Sequence, residues 1–416
     1  MSLNGSKTKR KTCRACEGTE FKLVINFGQN PLVNSLIEKE DLDKTEATFP
    51  LKVVQCQSCF LVQTEKPIDS HKIYQDQDYL YYTGDMPQNS QYMMAFNSLA
   101  EDIQKHSGDG DLIVEIGSND GTVLKKITDR RVLGVDPAIN TVIRALSKGV
   151  PTLSAVFSRH NAENIVKDFG QAQVVGGANC LAHIDNIHGV LEGVDILLKE
   201  DGVFWVECNY WGGMVKNQHY ALIYHDHYSY FTLRNWVNLL TDHNLEVFDA
   251  FITEAQGEGL SLRLFASRPG KQQPTERFSV LLEEEKKTNL ASFEVCQKFR
   301  KEVLARAKEL YNLIDDLKKQ GKTIAGYGAA AKGFSVLKLA KIDQTHLDYF
   351  VDDSPAKQGK YAPVTHIPVI SRAEAQSQLP DYFFITAPNY EAVIIEKEQE
   401  FVKGGGHFIT VDGRII

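Results

Sequence analysis

Hydrophobic and polar positions divide the chain into three parts. In the first, two short apolar stretches, FKLVINFG and FPLKVVQC, predict strands, but the part is too small to build a good core unaided. The second part opens with the apolar run Leu112–Ile116 in DLIVEIGSNDGTVLKKI, which predicts a buried parallel strand. It breaks into Gly117-Ser118-Asn119-Asp120-Gly121 and passes into a helical pattern. RVLGVDPA gives a second strand ending in Asp136, and QVVGGANCL and GVFWVECNYW give further strands. EVFDAFITEA and LSLRLFASR flank a Gly-rich turn, which predicts a hairpin ending the sheet. The charged stretch Glu283 to Gln320 carries apolar residues at helical spacing, as a solvated amphipathic helix does. The third part runs strand, Gly-Tyr-Gly-Ala-Ala-Ala-Lys-Gly, helix in KTIAGYGAAAKGFSVLKLA. LDYFVDDSPAKQGKY repeats the strand-then-acid theme and DYFFITAPNY adds a strand, which predicts a second, smaller doubly wound domain.

At 416 residues the chain exceeds one ordinary core. Three domains are expected, at 1–72, 73–272 and 273–416. A composition of 43% hydrophobic and 24% charged residues is that of a soluble globular protein. The net charge of -8 leaves no basic stripe to displace phosphate counterions, which argues against nucleic-acid binding. The basic run Lys7–Lys11 reads as a solvated tail, with MSLNGS open to reading as a cloning remnant. No apolar run approaches the roughly 20 residues of a membrane span, and the start has no hydrophobic signal core. A cytoplasmic protein with no membrane partner is expected.

Seven cysteines include two tight pairs, Cys13 with Cys16 and Cys56 with Cys59. In a reducing compartment such pairs point to metal rather than disulfides. Each Cys-x-x-Cys turn offers two thiolates to one tetrahedral zinc ion, and four thiolates leave no open position, so the metal is structural. It would also stabilise the small first part. The spacer between the pairs is longer than the usual zinc-ribbon interval, and four unrelated thiols are the alternative.

Strand, Gly-rich loop, strand and acid form a nucleotide-binding pattern, with Asp136 placed for ribose hydroxyls. The loop is not Gly-x-Gly-x-x-Gly, however, but Glu-x-Gly-x-x-x-Gly beginning at Glu115. A carboxylate there repels a pyrophosphate and suits a ligand with an α-amino group, such as S-adenosylmethionine (SAM). With the terminal hairpin, the α/β pattern resembles the class I SAM-dependent methyltransferase fold. In the third part the loop either holds a phosphate at a helix N-terminus with Lys332 beside it, or survives only for packing. The stretch IYHDHYSYF, Ile223–Phe231, allows an aromatic strand, a helix edge with polar tips, a proton-transfer site or a pair of metal ligands.

Taken in order, the two Cys-x-x-Cys pairs, VEIGSNDG, YHDHYSYF and GYGAAAKG…VDDSPAKQGKY resemble the three-domain sugar C-methyltransferases. These include the nucleotide-diphospho-sugar 3-C-methyltransferases, and the likeness runs from Cys13 to the C-terminus. It implies a zinc-binding N-terminal module, a SAM-binding Rossmann-like middle domain and a smaller Rossmann-like C-terminal domain. The substrate implied is a 4-keto-6-deoxy sugar on dTDP, GDP or another nucleotide, lying between the middle and C-terminal domains. A monomer is expected. Carbon methylation needs a carbon nucleophile: a C4 ketone acidifies the C3 proton, a base removes it, and the enolate attacks the methyl in line.

By motif position the resemblance makes His227 the base, oriented by Asp226 or a neighbour, with Tyr224 a donor to the ketone or enolate oxygen. Family members commonly carry Glu at the position of Asp226, which leaves its contact open. His225 is the second candidate base, and His183, in CLAHIDNIH, matches an active-site histidine that stabilises the enolate. In DYLYYTGDMP, matching a segment that closes over the active site, Tyr79 is the functional choice; Tyr81 and Tyr82, with Lys332, are assigned to the substrate. Glu115, Gly117, Ser118 and Asn119 surround the methionine moiety of SAM, Asp136 and Pro137 the ribose, and Asn179 lines the cofactor.

Three rivals stand beside this reading. A NAD-dependent oxidoreductase or epimerase of nucleotide sugars would need a true dinucleotide loop, which neither Gly-rich loop is. A non-catalytic zinc-containing binding protein would use none of the histidines. Zinc at His225 and His227 would need further ligands that the neighbouring sequence lacks.

Overall fold

The computed structural model describes residues 12–32, 35–74, 79, 81–255 and 260–416. The tail Lys7–Lys11, the MSLNGS segment, Asp78 and Leu80 of the tyrosine segment, and the Gly-rich turn at 256–259 lie outside the described residues. The chain forms two compact units. The first takes in Met1–Leu23, Val53–Asn217 and Asp226–Val295, and the second Val24–Lys52, Gln218–His225 and Cys296–Ile416. No helix among the described residues is long and apolar enough to cross a membrane.

The N-terminal apolar stretches form β1 (Phe21–Asn30) and β2 (Phe49–Cys56), followed by β3 (Val62–Thr64). The run at Leu112–Ile116 becomes β4, buried at all five positions as a strand covered on both faces must be. Then come β5 (Arg131–Asp136), β6 (Thr152–Ser154), β7 (Ala172–Ala178) and β8 (Leu198–Asn209). IYHDHYSYF is mostly loop and ends in the short β9 (Ser229–Tyr230). The predicted hairpin is β10 (Glu246–Thr253) with β11 (Ser261–Ser267).

A four-stranded sheet has the order β1-β2-β3-β9. The large sheet of the first unit runs β10-β11-β8-β7-β4-β5-β6. Strands β4 to β8 are parallel, and β11 lies antiparallel to β8 and β10. This is the class I methyltransferase fold. The chain winds from β4 to β6 on one side and returns to β7 beside β4, so the order reverses there. The loops after β4 and β7 therefore open a crevice, the usual ligand position in an α/β sheet.

Two expectations are corrected. The helical pattern after the first Gly-rich loop forms a single 3-10 turn, Leu124–Lys126. Gly121 (φ +75°) and Asp129 (φ +60°) bracket the run, leaving too few residues to offset the cost of starting an α-helix. The charged stretch forms two helices, Glu276–Lys287 and Phe293–Lys319, rather than one. Asn289 stands between them at φ +49°, a conformation Asn tolerates better than most residues. Leu290 N donates to Glu285 O (3.1 Å) and Asn289 N to Lys286 O (3.1 Å), with Leu290 buried: a Schellman ending.

In the second unit β12 (Ile324–Tyr327), β13 (Phe350–Val351), β14 (Val369–Ile370), β15 (Tyr382–Ile385) and β16 (His407–Ile409) form a sheet of order β14-β13-β12-β15-β16. All pairings are parallel, so this is the smaller doubly wound sheet that the third part predicts. Tyr327, Phe383, Phe401 and Phe408 are among its buried core.

Candidate active site

The two cysteine pairs converge. Sγ of Cys13 lies 3.5 Å from Sγ of Cys59, and Sγ of Cys16 lies 3.6 Å from Sγ of Cys56. All four sulfurs fall within 4.8 Å of one another. Thiolates about 2.3 Å from a tetrahedral zinc ion stand about 3.8 Å apart, so the donor set fits zinc. Gln63 Nε2 donates to Cys13 Sγ (3.1 Å), and Ala15 N and Ser58 N approach the Sγ of Cys13 and Cys56, which favours the thiolate form.

A cavity of about 570 Å³ in the first unit is lined by the loops after β4, β5 and β7. Gly117, Asn119, Asp136, Pro137, Asn179 and His183 all face it, as do Tyr79 and Tyr81. Glu115 and Ser118 are buried outside this lining. Glu115 Oε2 and Ser118 Oγ have no hydrogen-bond partner among the described residues. Burial, with the charges of Asp136 and Asp120 nearby, pushes the Glu115 carboxyl well above the usual range. An ammonium group supplies what such a carboxyl lacks. Gly117 has φ +66°, and a Cβ there would stand 2.5 Å from Cys180 Cβ, so the loop needs glycine twice over.

Asp136 Oδ2 accepts from Asn119 N (2.9 Å), and its Oδ1 accepts from Ala138 N (2.9 Å) and Thr141 Oγ1 (2.8 Å). Burial still raises its pKa. Asn179 adopts φ +54°, and its N–H donates to Glu207 O (2.7 Å).

The side chain of Asn119 serves the tyrosine segment. Its Nδ2 donates to Tyr81 O (2.9 Å) and its Oδ1 accepts from Thr83 N (3.1 Å). Asp120, which the sequence reading passes over, accepts from Thr83 Oγ1 (2.7 Å) and Gly84 N, and pairs with Lys148 (2.5 Å). Asn140 Nδ2 donates to Tyr79 O (3.0 Å) and Tyr82 Oη (2.6 Å), and the Arg144 guanidinium lies 3.9 Å from the Tyr82 ring centroid. Tyr82 is thus tied to the helix Ile139–Ser147. Tyr79 packs its ring 5.2 Å from Tyr74, and burial with the carboxylates of Asp226 and Asp136 pushes its phenol up.

His183 follows β7 on a 3-10 turn, Leu181–His183. Its Nδ1 lies 2.8 Å from Tyr74 Oη, and its ring centroid is 4.7 Å from that of His227. Burial lowers its pKa to about 4, which keeps the imidazole neutral near pH 7. Asn209 Nδ2 lies 3.1 Å from His227 Nε2, and Tyr230 stands edge-on to the ring. Asp226 is buried, and burial raises its carboxyl to about 7. Tyr224 and His225 belong to the second unit. There His225 lies with Nε2 3.3 Å from Phe49 O, its pKa lowered to about 4 by burial.

Lys332 starts the helix Ala331–Ala340 of the second unit. Its Nζ donates to Asn389 Oδ1 (2.6 Å), and burial lowers its pKa to about 7. Burial, then the charges of Lys332 and Arg306, hold His219 down to about 3. Nε2 of His219, Oη of Tyr220 and Nδ2 of Asn389 are buried without a hydrogen-bond partner among the described residues. Asp352, the acid after β13, accepts from Ala329 N (2.8 Å) and Lys357 Nζ (3.1 Å), and so closes its own loop.

Tyr74, Asn209, Asp120, His219 and Arg306 are the residues that sequence reasoning misses. Asn209 ends β8 much as Asn179 follows β7, which is a usable signal. Tyr74 carries none: it sits in PIDSHKIY without motif or periodicity.

Three family models match in register with this organisation. Residues 13–74 match "Putative zinc binding domain", 93–250 "Methyltransferase domain", and 256–411 "C-methyltransferase C-terminal domain". The chain is 35% identical over 402 residues to the C-methyltransferase NovU of Streptomyces niveus, covering 96% of this chain and 94% of that protein. Among solved structures, a S-adenosylmethionine-dependent methyltransferase of Clostridium acetobutylicum overlaps 45% of this chain and 94% of its own, at 12% identity and TM-score 0.34. The geranyl diphosphate C-methyltransferase of Streptomyces coelicolor overlaps 44% and 85%, at 12% identity and TM-score 0.34. A cysteine centre shaped for zinc, a cofactor cavity at the switch point of its sheet and near full-length identity to a C-methyltransferase agree: the chain belongs to the zinc-containing, SAM-dependent C-methyltransferases.

Proposed function

We propose that the protein methylates C3 of a 4-keto-6-deoxy sugar carried on dTDP or GDP, in the making of branched deoxysugars. The observation that carries this reading is the pairing of two imidazoles, His183 and His227, 4.7 Å apart, with His183 on the wall of the cofactor cavity. SAM supplies an electrophilic methyl group on a sulfonium centre. His227 takes the C3 proton, and the electrons of that C–H bond move into the C4 carbonyl to give an enolate. A neutral His183 whose Nδ1 faces the Tyr74 hydroxyl presents Nε2–H to the enolate oxygen. Tyr79, its phenol held protonated, is a second donor. Carbon C3 then bonds to the methyl carbon as the methyl–sulfur bond breaks.

The second unit supports the nucleotide-linked class of substrate. Lys332, Arg306 and His219 bring cationic groups together with unpaired donors, a combination that suits a diphosphate. The proposed modules are 1–72 for zinc, 73–272 for SAM and 273–416 for the sugar nucleotide.

Mass spectrometry of nucleotide-linked 4-keto-6-deoxy sugars incubated with enzyme and SAM tests the reading, which expects one added methyl on carbon. His227→Ala should keep SAM binding but lose most methylation and most C3 proton exchange. Unchanged turnover in that variant would refute the base. One observation favours a second reading: with its carboxyl raised to about 7, Asp226 is itself matched to remove a proton near neutrality. If exchange survives in His227→Ala and is lost in Asp226→Asn, Asp226 is the base.

A further inference from the structure

Arg14, inside the first Cys-x-x-Cys turn, is among the largest fully buried side chains of the protein. A buried guanidinium is costly unless its donors are met, and a turn that only binds metal has no need of one. Here the donors are met by an unusual set of acceptors. Nε donates to Asp185 Oδ1 (2.9 Å), and Nη1 to Gln63 Oε1 (3.0 Å), Thr64 O (2.8 Å) and Tyr228 O (3.2 Å). Gln63 in turn donates from Nε2 to Cys13 Sγ (3.1 Å). One guanidinium therefore connects a sulfur of the cysteine centre to two places in the active site. Tyr228 directly follows His227, and Asp185 stands two residues after His183. Tyr228 also donates its N–H to Ala182 O (2.8 Å), joining the two histidine loops.

We propose that Arg14 is a positioning residue that makes the His183–His227 geometry depend on the cysteine centre, so that this centre governs methyl transfer as well as folding. The inference rests on the reading of these two histidines as the acid–base pair. Guanidinium is the one side chain whose planar fork serves three segments at once; a lysine in its place serves one at a time.

The test uses the full chain, zinc-loaded and bound to S-adenosylhomocysteine, with nitrogen-15 in its histidines. Arg14→Met keeps the apolar length and removes every donor. Its metal content and S-adenosylhomocysteine affinity should match wild type. Its His183 and His227 ring signals should shift, while those of the distant pair His188 and His243 stay in place. With a methyl acceptor in hand, kcat should fall about 100-fold, as expected for a misplaced catalytic group, at unchanged KM for SAM. Arg14→Lys should recover part of both effects. Asp185→Leu cuts one arm alone and should shift His183 more than His227. Ring signals of fully metallated Arg14→Met that superimpose on wild type would overturn the proposal. Should that variant not fold, an unmoved His183 signal in Asp185→Leu overturns it instead. The ring signals are read without turnover, so they stand or fall independently of the His227→Ala assay.

Discussion

Burial pulls Asp226 and His183 in opposite directions, and both shifts keep the neutral form. Asp226 has a folded pKa of about 7 against an ordinary value of 3.8. Between those limits the folded state holds a proton that the unfolded chain has released, so stability falls as pH rises. His183 runs the other way: folded at about 4 and ordinarily 6.5, it lends stability that grows with pH across that window. Comparing Asp226→Asn with wild type isolates the first effect. Wild type should lose stability relative to the variant by roughly 1.4 kcal/mol per pH unit as pH rises from about 4 to 7, measured by denaturant unfolding. A flat difference would mean that Asp226 is not held protonated. Residues of this kind are legible in sequence when chain-local rules place them. Glu115 and Asp136 end apolar runs, and the four cysteines sit in tight pairs. Tyr74 and Asn209 obtain their roles from where β7 and β8 end in space, which no local pattern encodes.

At the scale of elements, the tyrosine segment is held down by the cofactor loop. Asn119 alone supplies bonds to Tyr81 O and Thr83 N from a left-handed backbone (φ +50°). Asn119→Ala leaves those groups unpaired and strains the backbone, which should cost about 1–3 kcal/mol and weaken S-adenosylhomocysteine binding. Thermal unfolding with and without that ligand checks both. Equal unfolding temperatures for variant and wild type would exclude the anchoring role. Strands and their order are well predicted, because continuous apolar runs and Gly-rich breaks are local. Helix lengths are not. A single left-handed Asn289 splits one amphipathic pattern into two helices, and the run after Gly121 has helical spacing without the length to use it.

For the molecule as a whole, the compact units are not consecutive stretches: residues 24–52 and 218–225 belong with the C-terminal sheet. The motif IYHDHYSYF is divided between units after His225, which the pattern of its nine residues does not announce. The first unit contains the cysteine centre, and structural zinc in small peptides contributes about 10 kcal/mol or more to folding. Chelation should therefore lower the unfolding temperature and release one zinc per chain, and Cys56→Ser should mimic it. Retention of the full unfolding temperature after zinc is removed would contradict this. The missing helix has a last consequence. The loop at Gly117 is followed only by a 3-10 turn and has carboxylates around it, whereas the loop at Gly328 feeds a ten-residue helix that begins at Ala331 beside Lys332. A real helix turns its positive pole toward whatever its loop holds; a lone turn has almost none to offer. Two Gly-rich loops that look like repeats in sequence are thus wired with opposite polarity, one for a cation and one for an anion.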